Sequence, residues 1–149
     1  MLTILSAVSG PCKRLGHMPT VAAVLSIAAA VVHLWVMPKH FEAHAWWGYE
    51  TFFLAVVAFQ AFYAVVLLQQ PRSGTFLLGI GANLSLIAIY VITRTFGIPL
   101  FGPHVGNVEA NIPRDLVVKG AEVTLIVALL ASWRQRALVN AEEAPTVLR

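Results

Sequence analysis

Histidines are concentrated in the stretch HLWVMPKHFEAHAWWGYE, which begins at His33 and follows directly on an apolar run. Four potential metal ligands occur here at spacings of four, three and four residues: His33, Met37, His40 and His44. On a continuous helix this spacing places them on one face. Imidazole nitrogens bind copper, zinc or iron, and a thioether sulfur suits Cu(I). The pattern therefore predicts a transition-metal site, with copper the favoured ion and His104 a further ligand from a later loop.

Two features of the same stretch support a plainer interpretation. Pro38 lies inside the histidine stripe and lacks a backbone N–H, so we expect the helix to kink or end there and to lose the alignment of Met37 with His40. Aromatic residues such as Trp35 are typical of the headgroup level of a membrane, where histidines are common polar anchors. Haem held by paired histidines is less favoured still, because only His33 lies within an apolar stretch.

A second set of chemically capable residues lies inside the later apolar stretches or at their ends. Glu50, Arg94 and Glu122 are predicted to line a polar pocket with the histidines, as cofactor-binding or proton-handling groups. A guanidinium is a fork of donors that suits carboxylates, so we expect Arg94 to pair with Glu50 or Glu122. Lys119 is within reach of Glu122, three residues later, and of Asp115, four residues earlier. Such a pocket suits a quinone head group, a metal ion or a proton relay; alternatively, these residues are ion pairs that only fix helix register.

Two amides and a glycine also stand inside the apolar stretches. Gln60 and Asn83 are predicted to hydrogen-bond between helices, where each such bond contributes about 0.6–2 kcal/mol. Gly79 and Ala82, in the stretch GIGAN, are small enough to let helices approach closely. We interpret both features as bundle packing and not as a nucleotide-binding loop.

The composition indicates which solvent surrounds these residues. The chain has 149 residues, which suits one domain, and 58% of them are hydrophobic while only 11% are charged. Soluble domains have about 25% charged residues, so most of this surface is predicted not to face water. A single cysteine, Cys12, excludes an intrachain disulfide and a multi-cysteine metal site. The basic residues are dispersed despite a pI of 9.4, so nucleic acid is not a predicted partner.

A helix needs about 20 residues to cross the hydrocarbon core of a bilayer, and four apolar stretches meet that length. They cover 19–37, 51–69, 75–93 and 116–133. Because backbone groups in lipid must be satisfied internally, helices are the expected structure. The sequence therefore predicts an all-α polytopic membrane protein, a four-transmembrane-helix antiparallel bundle over 19–134. An N-terminal segment, 1–18, precedes this domain and a tail, 135–149, follows it.

The distribution of charge predicts the orientation. Six of the ten basic residues fall on the side that holds both termini, and five of the seven acids fall on the other. The positive-inside rule therefore places both termini in the cytoplasm and the histidine-rich stretch at the outer face of the cell membrane. The stretch before Met18 has its apolar run ahead of its charges, the reverse of a secretory signal. No cleaved leader is expected, and Met18 is an alternative start to Met1.

Several motifs together resemble a known group of proteins. They are His33 near the end of the first span, HFE followed by WWGYETFF at the entry to the second, Gln60, and RTFGIPLFGP from Arg94 to Pro103. On these residues the chain resembles a family of small, uncharacterised four-span membrane proteins from actinobacteria and related bacteria, with an R-T-x-G-x-P motif. The resemblance covers His33 to Leu130. It implies a four-helix membrane protein and no particular activity.

These observations favour a binding protein over an enzyme. The leading hypothesis is an accessory membrane subunit that binds copper, another transition metal or a redox cofactor in its outer-face pocket, beside a larger membrane complex or as a homo-oligomer. The first alternative is a purely structural subunit of such a complex. The second is a small membrane enzyme or quinone-binding protein with Glu50 or a histidine as base. No nucleophile–base pair supports an enzyme, since Cys12 lies outside the predicted bundle.

Overall fold

The computed structural model describes residues 16–44, 47–97, 106, 108 and 113–143, apart from the side chains of 39–44, 142 and 143. Within this part of the chain there are four helices and no strand. They are α1 (Met18–His44), α2 (Trp47–Gln69), α3 (Ser73–Thr95) and α4 (Pro113–Glu143). The predicted all-α class is therefore confirmed for the described residues.

All four helices are long and apolar enough to cross a membrane. Their apolar parts cover 21, 23, 23 and 29 residues, where about 20 suffice. Large apolar side chains also point away from the bundle on every helix, and more than half of the surface is exposed in Val24, Phe62, Leu78 and Val127. Soluble proteins rarely expose large contiguous apolar patches, whereas lipid tails are as apolar as leucine and cover such a surface. Both observations indicate a multi-pass membrane protein with lipid around the bundle.

α1 is longer than the first predicted span, which ended at residue 37. The helix continues through Pro38 to His44, so of the two outcomes expected at the proline, a helix end was wrong. A proline inside a helix removes one backbone hydrogen bond, at a cost of about 3 kcal/mol. The residues that follow it can still bond to earlier carbonyls, and membrane helices tolerate such a proline. Part of the predicted outer loop is consequently helical.

α4 also extends beyond its predicted span, 116–133. It begins at Pro113, whose fixed φ and missing N–H suit the first position of a helix. It ends at Glu143 and so includes the first part of the predicted tail. Hydropathy marks only the part of a helix that contacts lipid, whereas the segment RQRALVNAEE after Trp133 consists mostly of good helix formers. The helix therefore continues after its apolar part has ended.

The helices do not pack evenly against one another. α1 contacts both α2 and α4 extensively, α3 packs mainly against α4, and α2 and α3 have few contacts with each other. A buried apolar core is formed by the first half of α1, the second half of α2, the first half of α3 and the middle of α4. Its largest members are at most 2% exposed: Tyr63, Leu67, Phe76, Leu125 and Leu129. The antiparallel arrangement stays a prediction.

α2 and α3 meet at Gly79. Tyr63 lies across this glycine, so that a Cβ at residue 79 would overlap the tyrosine hydroxyl and ring. The Tyr63 hydroxyl donates a hydrogen bond of 2.8 Å to the Thr75 carbonyl, one turn earlier on α3. The close approach predicted for the GIGAN stretch is therefore confirmed at Gly79, where any side chain would displace the tyrosine.

The two buried amides do not form the side-chain hydrogen bonds that were predicted between helices. Asn83 donates from Nδ2 to the Gly79 carbonyl of its own helix at 2.8 Å, and the Gln60 side chain has no hydrogen-bond partner among the described residues. A bond between helices at this level is made instead by Ser26, whose hydroxyl donates to the Gln60 backbone carbonyl at 2.7 Å. The predicted bonds between helices by the two amide side chains were therefore wrong among the described residues, and a short serine side chain joins α1 to α2 at this level.

Candidate functional site

One face of α4 carries three ionisable side chains toward the inside of the bundle. Asp115, Lys119 and Glu122 follow at spacings of four and three residues, which align them along a helix. Asp115 is 4% exposed, Glu122 is fully buried and Lys119 is partly buried. Ionisable groups within a membrane span are costly and are usually paired. Each of these three therefore needs a partner from its own helix or from a neighbour.

Arg94, in the last turn of α3, is the partner of Asp115 in the first turn of α4. Its Nη2 lies 2.5 Å from Asp115 Oδ2, and the two side chains are only 8% and 6% exposed. The positions suit the charges, because a cation is favoured at the C-terminus of a helix and an anion at the N-terminus. The prediction that Arg94 pairs with Glu50 or Glu122 was wrong. Glu122 lies seven residues further along α4 than Asp115, about 10 Å along the axis.

Lys119 and Glu122 form the ion pair that their spacing predicted. Lys119 Nζ lies 2.8 Å from Oε1 and 2.7 Å from Oε2 of Glu122, so the ammonium bonds both carboxylate oxygens. The lysine side chain is 18% exposed, whereas that of Glu122 is fully buried. Asp115, which was also within predicted reach of Lys119, bonds Arg94 instead. Two ion pairs thus follow each other along α4.

His33 on α1 joins this group by contacting Glu122 across the helix interface. Its Nε2 lies 3.1 Å from Glu122 Oε1, and its Nδ1 lies 2.9 Å from the carbonyl oxygen of Ala29 in the preceding turn. The residue is 2% exposed and is flanked by Phe53 of α2, with the two ring centroids 6.2 Å apart. Both ring nitrogens therefore have partners within the protein, and three helices together hold the imidazole.

The two contacts of His33 restrict which of its ring nitrogens carry a proton. A backbone carbonyl only accepts, so the Ala29 contact is a hydrogen bond only when Nδ1 carries a proton. In the neutral ring with Nδ1–H, Nε2 is an acceptor, and it faces an oxygen of the Glu122 carboxylate, which is also an acceptor. Both contacts are hydrogen bonds only when one more proton lies between the two side chains, on Nε2 or on Oε1.

Two positively charged side chains of the site, one on α3 and one on α4, also contact an aromatic ring of α3. Tyr90 lies between Arg94 and Lys119, whose Cζ and Nζ atoms are 4.9 Å and 5.2 Å from the ring centroid. Cation–π contacts of this kind contribute about 0.5–2 kcal/mol. A similar contact of 4.7 Å joins Arg114 to Trp35 on α1. Tyr90 was not predicted as part of the site, although its position one helical turn before Arg94 is a signal that could have found it.

We refer to five of these residues as the charge cluster, because they form two neighbouring groups of ion pairs across α1, α3 and α4, one around Glu122 and the other between α3 and the start of α4. They are His33, Arg94, Asp115, Lys119 and Glu122. The cluster brings together three residues of the predicted site, namely His33, Arg94 and Glu122. Glu50, the remaining predicted cofactor ligand, lies half-buried in the first turn of α2 and forms no ion pair within the described part of the chain. Cofactor binding by Glu50, Arg94 and Glu122 stays a prediction.

The predicted metal site falls mostly on residues that the structure does not describe. His40 and His44 lie in the last part of α1, but their side chains are outside the described residues, as is the whole of His104. The described side chains of His33 and its surroundings form no group of three or more histidine, cysteine, aspartate and glutamate residues that could hold a metal ion. His33 instead has protein partners on both nitrogens. The copper site stays a prediction.

Comparison with known proteins adds no assignment. No protein-family model matches the chain, and neither a curated protein nor a solved structure is significantly similar to it. The resemblance to small four-span actinobacterial proteins accordingly stays a prediction.

Proposed function

We propose that this chain is a four-span membrane protein whose charge cluster binds a proton between His33 and Glu122 and exchanges it with the outer side of the cell membrane. The observation that carries the proposal is the pair of contacts made by His33. Both are hydrogen bonds only when a proton lies between Nε2 and Oε1. When that proton leaves, two acceptors face each other at 3.1 Å, so the pair must separate or the ring must give up its bond to Ala29.

The net charge of the cluster depends on the same proton. Arg94 and Asp115 balance each other, and Lys119 balances the Glu122 carboxylate. The added proton gives the cluster a net positive charge, at a place where the imidazole and carboxylate side chains are 3% and 0% exposed. The Tyr90 ring stabilises the two neighbouring cations, Arg94 and Lys119, through its contacts with both. Binding the proton completes the hydrogen bonds of His33, which favours the bound state. It also adds a buried charge, which favours release. These opposing effects suit the cluster to binding and releasing a proton.

The proposal includes an antiparallel bundle. Tyr63 of α2 lies against Gly79 of α3, close to the short connection formed by residues 70–72. Arg94 in the last turn of α3 pairs with Asp115 in the first turn of α4. Contacts between the end of one helix and the beginning of the next support an arrangement in which neighbouring helices run in opposite directions.

The orientation of the bundle decides which side supplies the proton. Basic residues favour a cytoplasmic position for both termini by six to four, which places the start of α4 at the outer face. Glu122 is nine residues after Pro113, the first residue of α4, a distance of about 14 Å along the helix axis. A hydrocarbon core is about 30 Å thick, so the proton site lies within the outer half of the membrane. The protein is proposed to act there as a small proton-handling subunit.

Infrared difference spectroscopy tests the proposed proton binding. The full chain is reconstituted into liposomes and spectra are compared between pH values at which it stays folded. We expect carboxyl and imidazole bands that change with pH in the wild type and are lost in Glu122→Gln. Glu50→Gln is the matched control, because this half-buried carboxylate forms no ion pair with a described residue, and it should leave those bands unchanged.

The competing structural hypothesis predicts a different spectrum. If the ion pairs of the charge cluster only fix helix register, no pH-dependent band will depend on Glu122. Bands that persist unchanged in Glu122→Gln would therefore refute proton binding at this site. The same variant should still be folded, because a glutamine keeps a side-chain oxygen that can accept from Lys119.

The copper hypothesis requires an unprotonated nitrogen on His33 that is available to the metal. Neutral imidazole binds a metal through the lone pair of an unprotonated nitrogen, so a metal on Nε2 would displace the Glu122 contact. Metal analysis of the purified protein separates the two hypotheses. Stoichiometric copper that is lost in a His33→Ala, His44→Ala double variant supports the metal site. Metal-free protein with an infrared change that depends on Glu122 supports the proton site.

A further inference from the structure

The interface between α3 and α4 has two arginines at the end of the bundle away from the charge cluster. At spacings of three and four residues, one stripe of α4 runs from Asp115 through Trp133 to Arg136. On α3, Arg72 directly precedes the first residue and lies four residues before Phe76. Phe76 belongs to the apolar core, and Trp133 packs against that core. Each arginine therefore stands one helical turn beyond a core aromatic residue, at the same end of the proposed antiparallel bundle.

The lengths of the two helices place these arginines at the level of lipid head groups. Arg72 precedes Arg94 by 22 residues on α3, and Arg136 follows Asp115 by 21 residues on α4. These separations are about 33 Å and about 32 Å along the helix axes, slightly more than the thickness of a hydrocarbon core, about 30 Å. With the Arg94–Asp115 pair at one boundary of the core, Arg72 and Arg136 lie at the other, where lipid phosphates are. Trp133 lies near the same level, which is typical of tryptophan.

The guanidinium groups of Arg72 and Arg136 form no hydrogen bond or ion pair within the described part of the chain. The acids whose side chains are described all belong to the opposite half of the proposed bundle: Glu50, Asp115 and Glu122. Glu142 and Glu143 follow Arg136 by six and seven residues, about 10 Å further from the hydrocarbon core. Among the described side chains, no carboxylate therefore neutralises the two arginines, and an anion from outside the chain is favoured at this end of the interface.

We propose that Arg72 and Arg136 bind the phosphate of an anionic phospholipid, which holds the start of α3 against α4. A guanidinium is a planar fork of donors that matches phosphate oxygens, and hydrogen bonds between charged groups are about twice as strong as neutral ones. A zwitterionic lipid carries its own cation beside the phosphate and so neutralises the arginines less well. Leu77 and Leu78 follow on α3 and are 51% and 58% exposed, so they offer apolar surface to the acyl chains.

A lipid at this place supports a helix that has few neighbours. α3 packs mainly against α4 and has few contacts with α2. At one end the interface is held by the ion pair of Arg94 with Asp115, and the bound phosphate is its counterpart at the other end. The lipid site does not depend on the proton site, because Arg136 lies 14 residues beyond Glu122 on α4, a distance of about 21 Å.

Quenching of Trp133 fluorescence by brominated lipid tests the site. The chain has four tryptophans, and only the emission of Trp133 remains in a background of Trp35→Phe, Trp46→Phe and Trp47→Phe. The full chain is reconstituted into vesicles of phosphatidylcholine and phosphatidylglycerol at physiological ionic strength, with bromine on the acyl chains of one lipid at a time. We expect phosphatidylglycerol to bind beside Trp133 about tenfold more tightly than phosphatidylcholine, since hydrogen bonds to charged groups contribute about that factor.

Three variants in this background separate a lipid site from a general attraction to basic residues. Loss of one of two arginines halves the difference in binding free energy, so Arg72→Gln and Arg136→Gln should each lower the ratio to about threefold. Arg134→Gln is the matched control and should leave it unchanged, because Arg134 is exposed on another face of α4, two residues from Arg136. A ratio near one with all arginines present, or an equal fall in Arg134→Gln and Arg136→Gln, would overturn the site.

Discussion

Replacing Gly79 with alanine tests the packing that positions α2 and α3, and Gly81 on the same helix provides the matched control. In a helix interior alanine is favoured over glycine by about 1 kcal/mol, and this applies to both positions. Nothing lies within 4 Å of a Cβ added at Gly81, so Gly81→Ala should be neutral or stabilising by up to about 1 kcal/mol. At Gly79 the same atom would overlap the Tyr63 hydroxyl and ring.

The penalty at Gly79 has two parts. Overpacking of a buried contact costs about 1–3 kcal/mol. A displaced Tyr63 also loses its hydrogen bond to the Thr75 carbonyl, a loss of about 1 kcal/mol. With the gain from helix propensity subtracted, Gly79→Ala should lower the free energy of unfolding by about 1–3 kcal/mol.

The assay is equilibrium unfolding in mixed micelles, with an increasing fraction of denaturing detergent. Gly79→Ala and Gly81→Ala should shift the midpoint in opposite directions, or the second should leave it in place. In a Tyr63→Leu background the penalty of Gly79→Ala should largely disappear, because the overlapping ring is gone. Equal midpoints for the two alanine variants would refute the close approach of Tyr63 to Gly79.

Three further predictions concern the charge cluster and use the same unfolding assay. Glu122→Leu should destabilise the protein by about 3–5 kcal/mol, because it leaves the Lys119 ammonium without its carboxylate; a loss below that of Glu122→Gln would contradict the ion pair. Arg94→Lys keeps the charge but not the planar fork, so the coupling energy with Asp115 in a double-mutant cycle should fall, and an unchanged coupling would show that only charge matters. Tyr90→Phe keeps the ring face and Tyr90→Leu does not, so the leucine variant should be less stable by about 1–2 kcal/mol, and equal stabilities would argue against the cation–π contacts.

The sequence predicts which segments form helices better than it predicts the residues at which those helices end. The second predicted span and α2 end at the same residue, Gln69, because the polar segment that follows cannot remain in lipid. The sequence left open whether α1 kinks or ends at Pro38, and the helix continues because one lost hydrogen bond is small beside the bonds that the remaining residues form. α4 exceeded its span for another reason, which is that helix propensity does not depend on contact with lipid.

In the candidate site, the contact within one helix could be predicted from the sequence, whereas the contacts between helices could not. The pair of Lys119 with Glu122 follows from spacing within one helix. The contacts of Arg94 with Asp115 and of His33 with Glu122 depend on the depth and rotation of separate helices, which spacing does not specify. α1 is apolar on every side, so its sequence does not indicate that His33 faces α4. Because several histidines surround His33 in the sequence, metal binding was the favoured prediction for this residue, and its contact with the Glu122 carboxylate was not predicted.

Protonation of the two ring nitrogens of His33 tests the central claim most directly. It is measured by 15N solid-state NMR on the full chain in liposomes, with labelled histidine and the His33 signals identified by their loss in His33→Asn. We predict a protonated Nδ1, bonded to Ala29, and a proton shared between Nε2 and Glu122 that is lost in Glu122→Gln. A neutral ring with its only proton on Nε2 and a bare Nδ1 would contradict the account, because the contact with Glu122 would then need no additional proton.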